Sequence, residues 1–404
     1  MVDSNIHDKI DLIIKLGMGL HRYGANAYRI ELALKNLAHK IGLEGEFFFT
    51  PTYMFGAFRT EFGEINRHVR IEPGGVNLDK LCSLDELGDN YLAGKLTAQE
   101  TDLALDEIEK ATSKYHPLLK IFCFGMSSAA VSLFLFSELY TFTAAILVGL
   151  VVGCISYLSS KIDKMNSFSE VLVAFIATVL AYFLALTYPQ ISFSVILLSG
   201  LIVLIPGLNL TVAIAELARN HLASGTARFM GAMISLLKLA FGVAIGIKIL
   251  SSFGEPSMPI AGYQLPQLTR WVAVIFAGFS FTVLFDARIK DCPWILLSAI
   301  IGSLSSYFGN AILGAEIGPF LAGLSVGALS NVFARIHKRP ASLTLIPGII
   351  LLVPGSFGYI TLSYMFDHNV VAGLENAFLT LSIAISIVMG LLIGNILIDP
   401  RKNL

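Results

Sequence analysis

Charge is what this chain of 404 residues has least of. Asp, Glu, Lys and Arg together make up 14% of it, against about 25% in ordinary soluble domains. With 55% apolar residues and a mean hydropathy of +0.72, the chain has more apolar surface than one water-soluble core can hide, so it requires lipid. Its net charge of -1 supplies no global field for nucleic acid or for an acidic partner. Four cysteines (Cys82, Cys123, Cys154, Cys292) are too scattered for a disulfide framework or a metal knuckle and read as inert thiols. There is no G-x-x-x-x-G-K-[ST] phosphate loop, which removes support for an ATP-driven pump, and no HExxH metal motif. Nothing in this inventory calls for a cofactor.

What is present changes character near Pro117. Residues 1–116 have soluble composition. Residues 1–20 mix Asp3, His7, Asp8, Lys9, Asp11 and Lys15 with apolar residues at helical spacing, which is unlike a cleaved secretory signal. The spacing predicts an amphipathic helix from about 5 to 42, then strands in the aromatic run Glu46–Arg59 and near Asn66–Glu72, the latter ending at Pro73-Gly74-Gly75. Two helices follow, near 77–93 and 97–114, the second opened by a capping box of Thr97 and Glu100. This is a small α/β domain.

From Leu118 onward about ten apolar runs have the length a hydrocarbon core demands. They lie near 118–136, 140–159, 170–187, 191–217, 226–250, 267–285, 292–308, 312–334, 343–366 and 371–398. A linker at 251–267 with Pro256, Pro259 and Pro266 and no Lys or Arg divides them five and five, giving membrane halves 117–251 and 252–404. Alternate connections carry the cations: Lys161 and Lys164, Arg219 and Arg228, Arg288 and Lys290, then Arg335, Lys338 and Arg339, and finally Arg401 and Lys402. That alternation predicts cytoplasmic placement of both termini and of the soluble domain.

Five spans per half would insert the second half upside down relative to the first, the inverted-repeat architecture. Two sequence echoes support it. Leu204-Ile205-Pro206-Gly207 returns as Leu345-Ile346-Pro347-Gly348, 141 positions later, and Gly225, Gly242 and Gly246 return as Gly373, Gly390 and Gly394 at an offset of 148. The fold class is therefore an α-helical integral membrane protein, about ten spans in two inverted five-helix repeats, with a small cytoplasmic α/β domain.

Pro-Gly within a span predicts a broken helix, because proline lacks the donor and its ring clashes with the preceding turn. Broken helices at matching points of two repeats are where secondary transporters hold substrate, which makes Pro206, Gly207, Pro347 and Gly348 candidates. Pro354-Gly355-Ser356 adds a second such point, and Asn209 and Thr211 add polar groups after the first. The two breaks are not symmetric, since Pro206 lies well inside its run and Pro347 close to the start of its own. Ionisable residues in spans are expensive and mark function or pairing. Lys238, midway along its run, is the sharpest; its alternatives are a counter-charge for a carboxylate, a proton-linked switch, or a structural pair. Glu316 beside Gly318-Pro319 is a second candidate, and Glu216 and Glu375 sit nearer run ends where a solvated carboxylate is the plainer reading. Four G-x-x-x-G pairs (149/153, 242/246, 323/327, 390/394) read as close helix packing.

Gly24-Ala25, Arg29-Ile30-Glu31, Gly42, Thr50-Pro51-Thr52 within the aromatic strands and Pro73-Gly74-Gly75-Val76-Asn77-Leu78 resemble the cytoplasmic domain of the threonine/serine exporter family, and the two five-span sets complete the likeness over nearly the whole chain. Related systems divide this architecture between two proteins after the fifth span and are linked with dicarboxylate export. The resemblance implies export of a small amino or carboxylic acid across the cell membrane, driven by protons, and it carries Arg29 and Glu31 over as candidates from the soluble domain's most recognisable motif. His21, His39 and His68 read as surface residues. Alternative readings are a dicarboxylate exporter, an enzyme or ligand sensor acting through the soluble domain, and a domain that serves homo-oligomer formation.

Overall fold

The computed structural model describes residues 4–61, 63–135, 138–162, 168–256, 265–266, 268–352, 360–361 and 369–400. The soluble domain opens with α1 (Ser4–Arg22) and α2 (Ala27–Lys40). These are two helices where the apolar spacing predicts one. The period runs on unbroken, but Gly24 adopts φ +100°, a conformation that ends a helix and that side chains rarely tolerate. The aromatic run then folds back on itself. β1 (Glu44–Thr50) and β2 (Tyr53–Thr60) pair antiparallel across Pro51-Thr52, and β3 (Gly63–Arg70) pairs with β2, Tyr53 opposite Arg70. One face of this sheet buries Phe49, Met54 and Phe58 against α1 and α2.

α3 (Leu78–Leu92) and α4 (Ala98–Lys110) complete the domain. Asn77 caps α3 by accepting from the Lys80 amide, and the reciprocal Thr97–Glu100 capping box opens α4. Cys82 is enclosed in the domain core, where burial pushes its thiol up to about 12 and leaves it inert.

Beyond it come α5 (Pro117–Phe134), α6 (Leu139–Ser159), α7 (Ser169–Thr187), α8 (Phe193–Leu201), α9 (Gly207–Ala218) and α10 (Leu222–Leu250). The second half holds α11 (Thr269–Leu284), α12 (Cys292–Leu313), α13 (Pro319–His337), α14 (Ser342–Ile350) and α15 (Val370–Leu397). Among the described residues seven helices, α5, α6, α7, α10, α12, α13 and α15, are long and apolar enough to cross a membrane, and α9 and α11 are shorter apolar helices. This is a helical membrane protein. The run at 191–217 is two helices, and the run at 312–334 begins its helix only at Pro319, after Gly314 (φ +83°) stops α12. The run at 343–366 starts as α14, while Pro354-Gly355-Ser356 lies outside the described residues, as do Lys164, Pro259, Arg401 and Lys402.

Glycines set the closest helix approaches. Gly323 of α13 lies against the Ile387 carbonyl of α15, and Gly390 of α15 against the Phe320 carbonyl of α13, so each G-x-x-x-G pair admits the other helix's backbone. Gly242 of α10 lies against the Val171 carbonyl of α7, and Gly246 against the Thr178 side chain.

The soluble domain and the bundle share one hydrophobic core. Ala287, Ile295, Phe333, Leu343 and Ile346 from the second membrane half pack into the same cluster as Leu16, Leu34, Phe49 and Leu81. The Leu78 amide donates to the Phe285 carbonyl at 2.8 Å and the Tyr115 hydroxyl to the Ala287 carbonyl at 2.6 Å. Arg288 pairs with both Asp79 and Glu86, and Arg339 reaches Glu86 and Asp291. The connections that carry arginine are thus the ones that grip the domain.

Candidate functional site

Pro206 divides the run at 191–217. Its ring removes one helix donor, residues 202–204 form turns after α8, and α9 restarts at Gly207 with Pro206 as its first cap (φ -78°, ψ 41°). The Gly207 amide turns back to the Ile205 carbonyl at 2.8 Å. From this break α9 runs toward the soluble domain with Leu208, Asn209, Thr211, Val212 and Ala215 along one cavity.

The matching tetrapeptide behaves differently. Pro347 lies inside α14 and the helix continues to Ile350, so the expectation of a break at Pro347-Gly348 is corrected. Pro347 is only the sixth residue of the helix that starts at Ser342. Its missing amide therefore costs a single early bond, and the ring faces only the first-turn carbonyl at Leu343. Gly348 is buried against Ser298 and Val326, a packing position.

The cavity that α9 borders has a volume of about 400 Å³. Its walls come from three parts of the chain. The soluble domain gives His21 at the end of α1, Asn26, Tyr28 and Arg29 around the start of α2, and Pro73-Gly74. Gly74 lies so close to the Arg22 carbonyl that a side chain would collide with it, which holds this segment against α1. The first membrane half gives α9, Arg219 and Arg228, and the second gives Asn331 of α13, Leu345, Ile346 and Ile349 of α14, and Asn395 and Asp399 around the end of α15. The α13–α15 corner is fixed by Asn331, which donates to Asn395 Oδ1 and to the Ile398 carbonyl, each at 2.7 Å. The lining combines aliphatic side chains with three guanidinium groups and the Asp399 carboxylate, a composition suited to a small amphipathic anion or zwitterion.

Those arginines differ in how they are held. Arg228 forks onto Glu216 at 3.3 Å, and Glu216 also accepts from Ser224 Oγ at 2.7 Å and from the Ala27 amide at 3.1 Å. Glu216 is fully buried, so these donors replace its hydration. Arg219 stacks on the Tyr28 ring, 4.0 Å from its centre, and Arg29 Nη1 donates to Ser342 Oγ at 2.6 Å. Beside them Glu31 accepts from the Phe49 amide at 3.1 Å and meets His221 Nδ1 at 3.4 Å. Burial holds the Glu31 carboxyl above its ordinary range, although the Phe49 amide and His221 oppose the shift.

The sequence-predicted residues fall in three places. Asn209 and Arg29 line the cavity, and Glu216 and Glu31 bind together the elements that form it. Lys238 is elsewhere: its ammonium lies 3.4 Å from Glu170 in the first turn of α7, and Ser235 Oγ donates to the same carboxylate at 2.8 Å. The first turns of α10 extend past α7 toward the soluble domain, which puts Lys238 level with an end of α7 rather than with its middle. Glu316 is exposed in the turn between α12 and α13, where its backbone carbonyl accepts from Ser386, and Glu375 is exposed early in α15.

The expectation that His21 is a surface residue is corrected, since it is buried in the cavity wall at the last turn of α1, and the sequence used Arg219 and Arg228 only as topological markers. Glu216 looked solvated because it stands near the end of an apolar run. Arg228 twelve positions later, across the short turn 219–221, was the available signal for its pairing. Among the described residues no group of His, Cys, Asp and Glu is arranged to hold a metal.

A threonine/serine exporter family model matches residues 11–250, and a second model, "Threonine/Serine exporter, ThrE", matches residues 270–397. Relatives are named pheromone-regulated membrane protein 10. The one in Debaryomyces hansenii is 25% identical over 379 residues, 90% of this chain and 37% of the relative, and the one in Saccharomyces cerevisiae is 24% identical over 388 residues, 93% of this chain and 49% of the relative. The chain thus spans about a third to a half of the length of such relatives. No solved structure matches the chain.

Proposed function

The chain belongs to the threonine/serine exporter family, and on that premise we propose that it exports a small amino acid of the threonine/serine kind by alternating access around the cavity between α9, α14 and the soluble domain. The family is one of membrane exporters, not of enzymes. The observation that carries the reading is the cavity itself. It meets the helix broken at Pro206-Gly207, both membrane halves, and the Arg29 motif of the soluble domain. Arg29 and Arg219, which have no carboxylate partner among the described residues, attract the substrate carboxylate, and Asp399 answers its ammonium.

The proposed topology has ten passes, with α8–α9 as the fourth and α14 opening the ninth, in two inverted repeats. Its support is that Gly242 and Gly246 fit α10 to α7 as Gly390 and Gly394 fit α15 to α13. The soluble domain and both termini are cytoplasmic in this proposal, in the cell membrane, because the arginine-bearing connections lie on the domain's side. Coupling is to the proton gradient. Lys238 with Glu170 is the charged pair at the membrane boundary that could exchange partners during the cycle, and Glu31 with His221 is a second titratable pair at the moving interface. Threonine efflux from proteoliposomes under an imposed proton gradient tests the reading, and absence of threonine flux in either direction would end it.

A dicarboxylate is the second substrate reading. Lys238 was the one deep cation legible in the sequence, whereas the cavity gathers Arg29, Arg219 and Arg228. Succinate that competes with labelled threonine more strongly than serine does would favour it.

A further inference from the structure

His21 stands in the cavity wall, 5% exposed, at the last turn of α1. Its Nε2 lies 3.0 Å from the Pro51 carbonyl in the β1–β2 turn. A carbonyl only accepts, so Nε2 carries the ring proton and Nδ1 is a bare acceptor. That acceptor has no hydrogen-bond partner among the described residues and is closed off from the cavity in this state, so a ligand meets it only when this wall opens during the transport cycle. Burial, partly opposed by the Pro51 bond, lowers the tendency of the ring to take a second proton, and the Arg228 charge adds to the effect more than Glu216 offsets it. The imidazole is therefore neutral at physiological pH.

A buried acceptor left unpaired costs free energy, and any ligand that brings a donor to it recovers that cost. Two donors are available on a small hydroxy amino acid. The ammonium is poorly suited, because the ring already feels a net positive neighbour in Arg228, and Asp399 offers it a carboxylate elsewhere in the cavity. An uncharged hydroxyl meets no such opposition. Resting on the exporter reading above, we infer that His21 Nδ1 accepts a hydrogen bond from the side-chain hydroxyl of the transported amino acid. The soluble domain is then part of the substrate site and sets its selectivity. Arg29 and Arg219 hold the end that all amino acids share, and His21 reads the group that distinguishes them.

The test compares L-threonine with L-2-aminobutyrate, the same skeleton without the hydroxyl, in proteoliposomes of the full-length protein. Wild type should take threonine at a half-saturating concentration about tenfold or more below that of 2-aminobutyrate, the difference a missing partner for a buried acceptor makes. His21→Gln keeps a donor where Nε2 meets Pro51 and removes the acceptor at Nδ1, whereas His21→Asn places its oxygen close to the Nδ1 position and gives up the Pro51 bond. The inference expects the preference to collapse to about twofold or less in His21→Gln and to survive in His21→Asn. The opposite pattern, preference kept in Gln and damaged in Asn, would assign His21 to holding the β1–β2 turn and overturn the proposal. Equal handling of the two amino acids by wild type would also overturn it, and would leave the exporter reading standing. If wild type carries neither, it is the exporter reading that fails.

Discussion

The carboxylate of Glu216, at the end of α9, accepts the backbone amide of Ala27, the first residue of α2, at 3.1 Å. A side chain in the membrane half thereby satisfies a helix N-terminus in the soluble domain, where amides lack intrahelical partners and negative charge is favoured. The same carboxylate neutralises Arg228, so one buried group orients both a cavity arginine and the domain that roofs the cavity.

Removal of that group should be severe. Glu216→Ala strands a half-buried guanidinium and an unbonded amide, and a broken buried pair of this kind costs about 3–5 kcal/mol. The expected outcome is a lower midpoint of thermal unfolding in detergent and faster proteolysis within residues 4–110, with Glu216→Gln affected less because it keeps an acceptor for Ala27. Equal melting of Glu216→Ala and wild type would show that other contacts hold the domain.

Arg29 is both a cavity residue and a contact between domains, through Ser342. Arg29→Ala should raise the half-saturating threonine concentration about tenfold to a hundredfold, the scale of a lost charge-assisted bond. Arg29→Lys should recover part of this, since an ammonium keeps the charge and loses the planar fork. Ser342→Ala separates the two roles: a small effect on threonine affinity would assign the loss in Arg29→Ala to substrate rather than to docking.

Lys238 and Glu170 predict a separation of a different kind. If their pair serves coupling, Lys238→Ala should abolish uphill efflux driven by a proton gradient and leave threonine exchange across the same vesicles intact. Loss of both activities in a protein that still inserts and melts normally would move Lys238 to the substrate path. Retention of both would remove it from the mechanism.

Stability should depend on acid through Asp79. Burial works to raise this carboxyl, but hydrogen bonds and charge from Lys114 and Arg288 more than offset it, and its pKa lies below the ordinary value. A carboxylate with a depressed folded-state pKa contributes stability that is fully present above the unfolded value, about 3.9, and is lost as pH falls through the folded one. Thermal midpoints measured downward from pH 5 should therefore fall in wild type and fall less in Asp79→Asn, which should also be the less stable protein at pH 7. Parallel curves for the two would assign acid sensitivity to other groups.

Run length and loop charge made the membrane helices legible, because lipid demands an apolar stretch of fixed extent and leaves cations in the connections. The G-x-x-x-G pairs read correctly as packing, since a missing side chain has the same consequence on any helix. Pro206 and Pro347 show where such reading stops. Their tetrapeptides are identical, yet one ends a helix and the other sits in the second turn of one, and what separates them is the distance to a helix start that the local sequence does not mark. Gly24 is a similar case, since the apolar period continues through it while its backbone turns over. The cavity was less visible still. Glu216 is defined by an amide 189 positions away and His21 by a carbonyl at Pro51, and neither partner leaves a signature in the residues beside them.

The shared hydrophobic cluster has a consequence for synthesis. Leu105 is the last core residue that the soluble domain itself supplies, whereas Ala287, Ile295, Phe333, Leu343 and Ile346 close the same cluster from the second membrane half. A ribosome adding roughly 5–20 residues per second reaches them on the order of ten to fifty seconds later. During that interval the nascent domain presents an uncovered apolar face to its surroundings, and its maturation is timed by the synthesis of helices that have yet to be made.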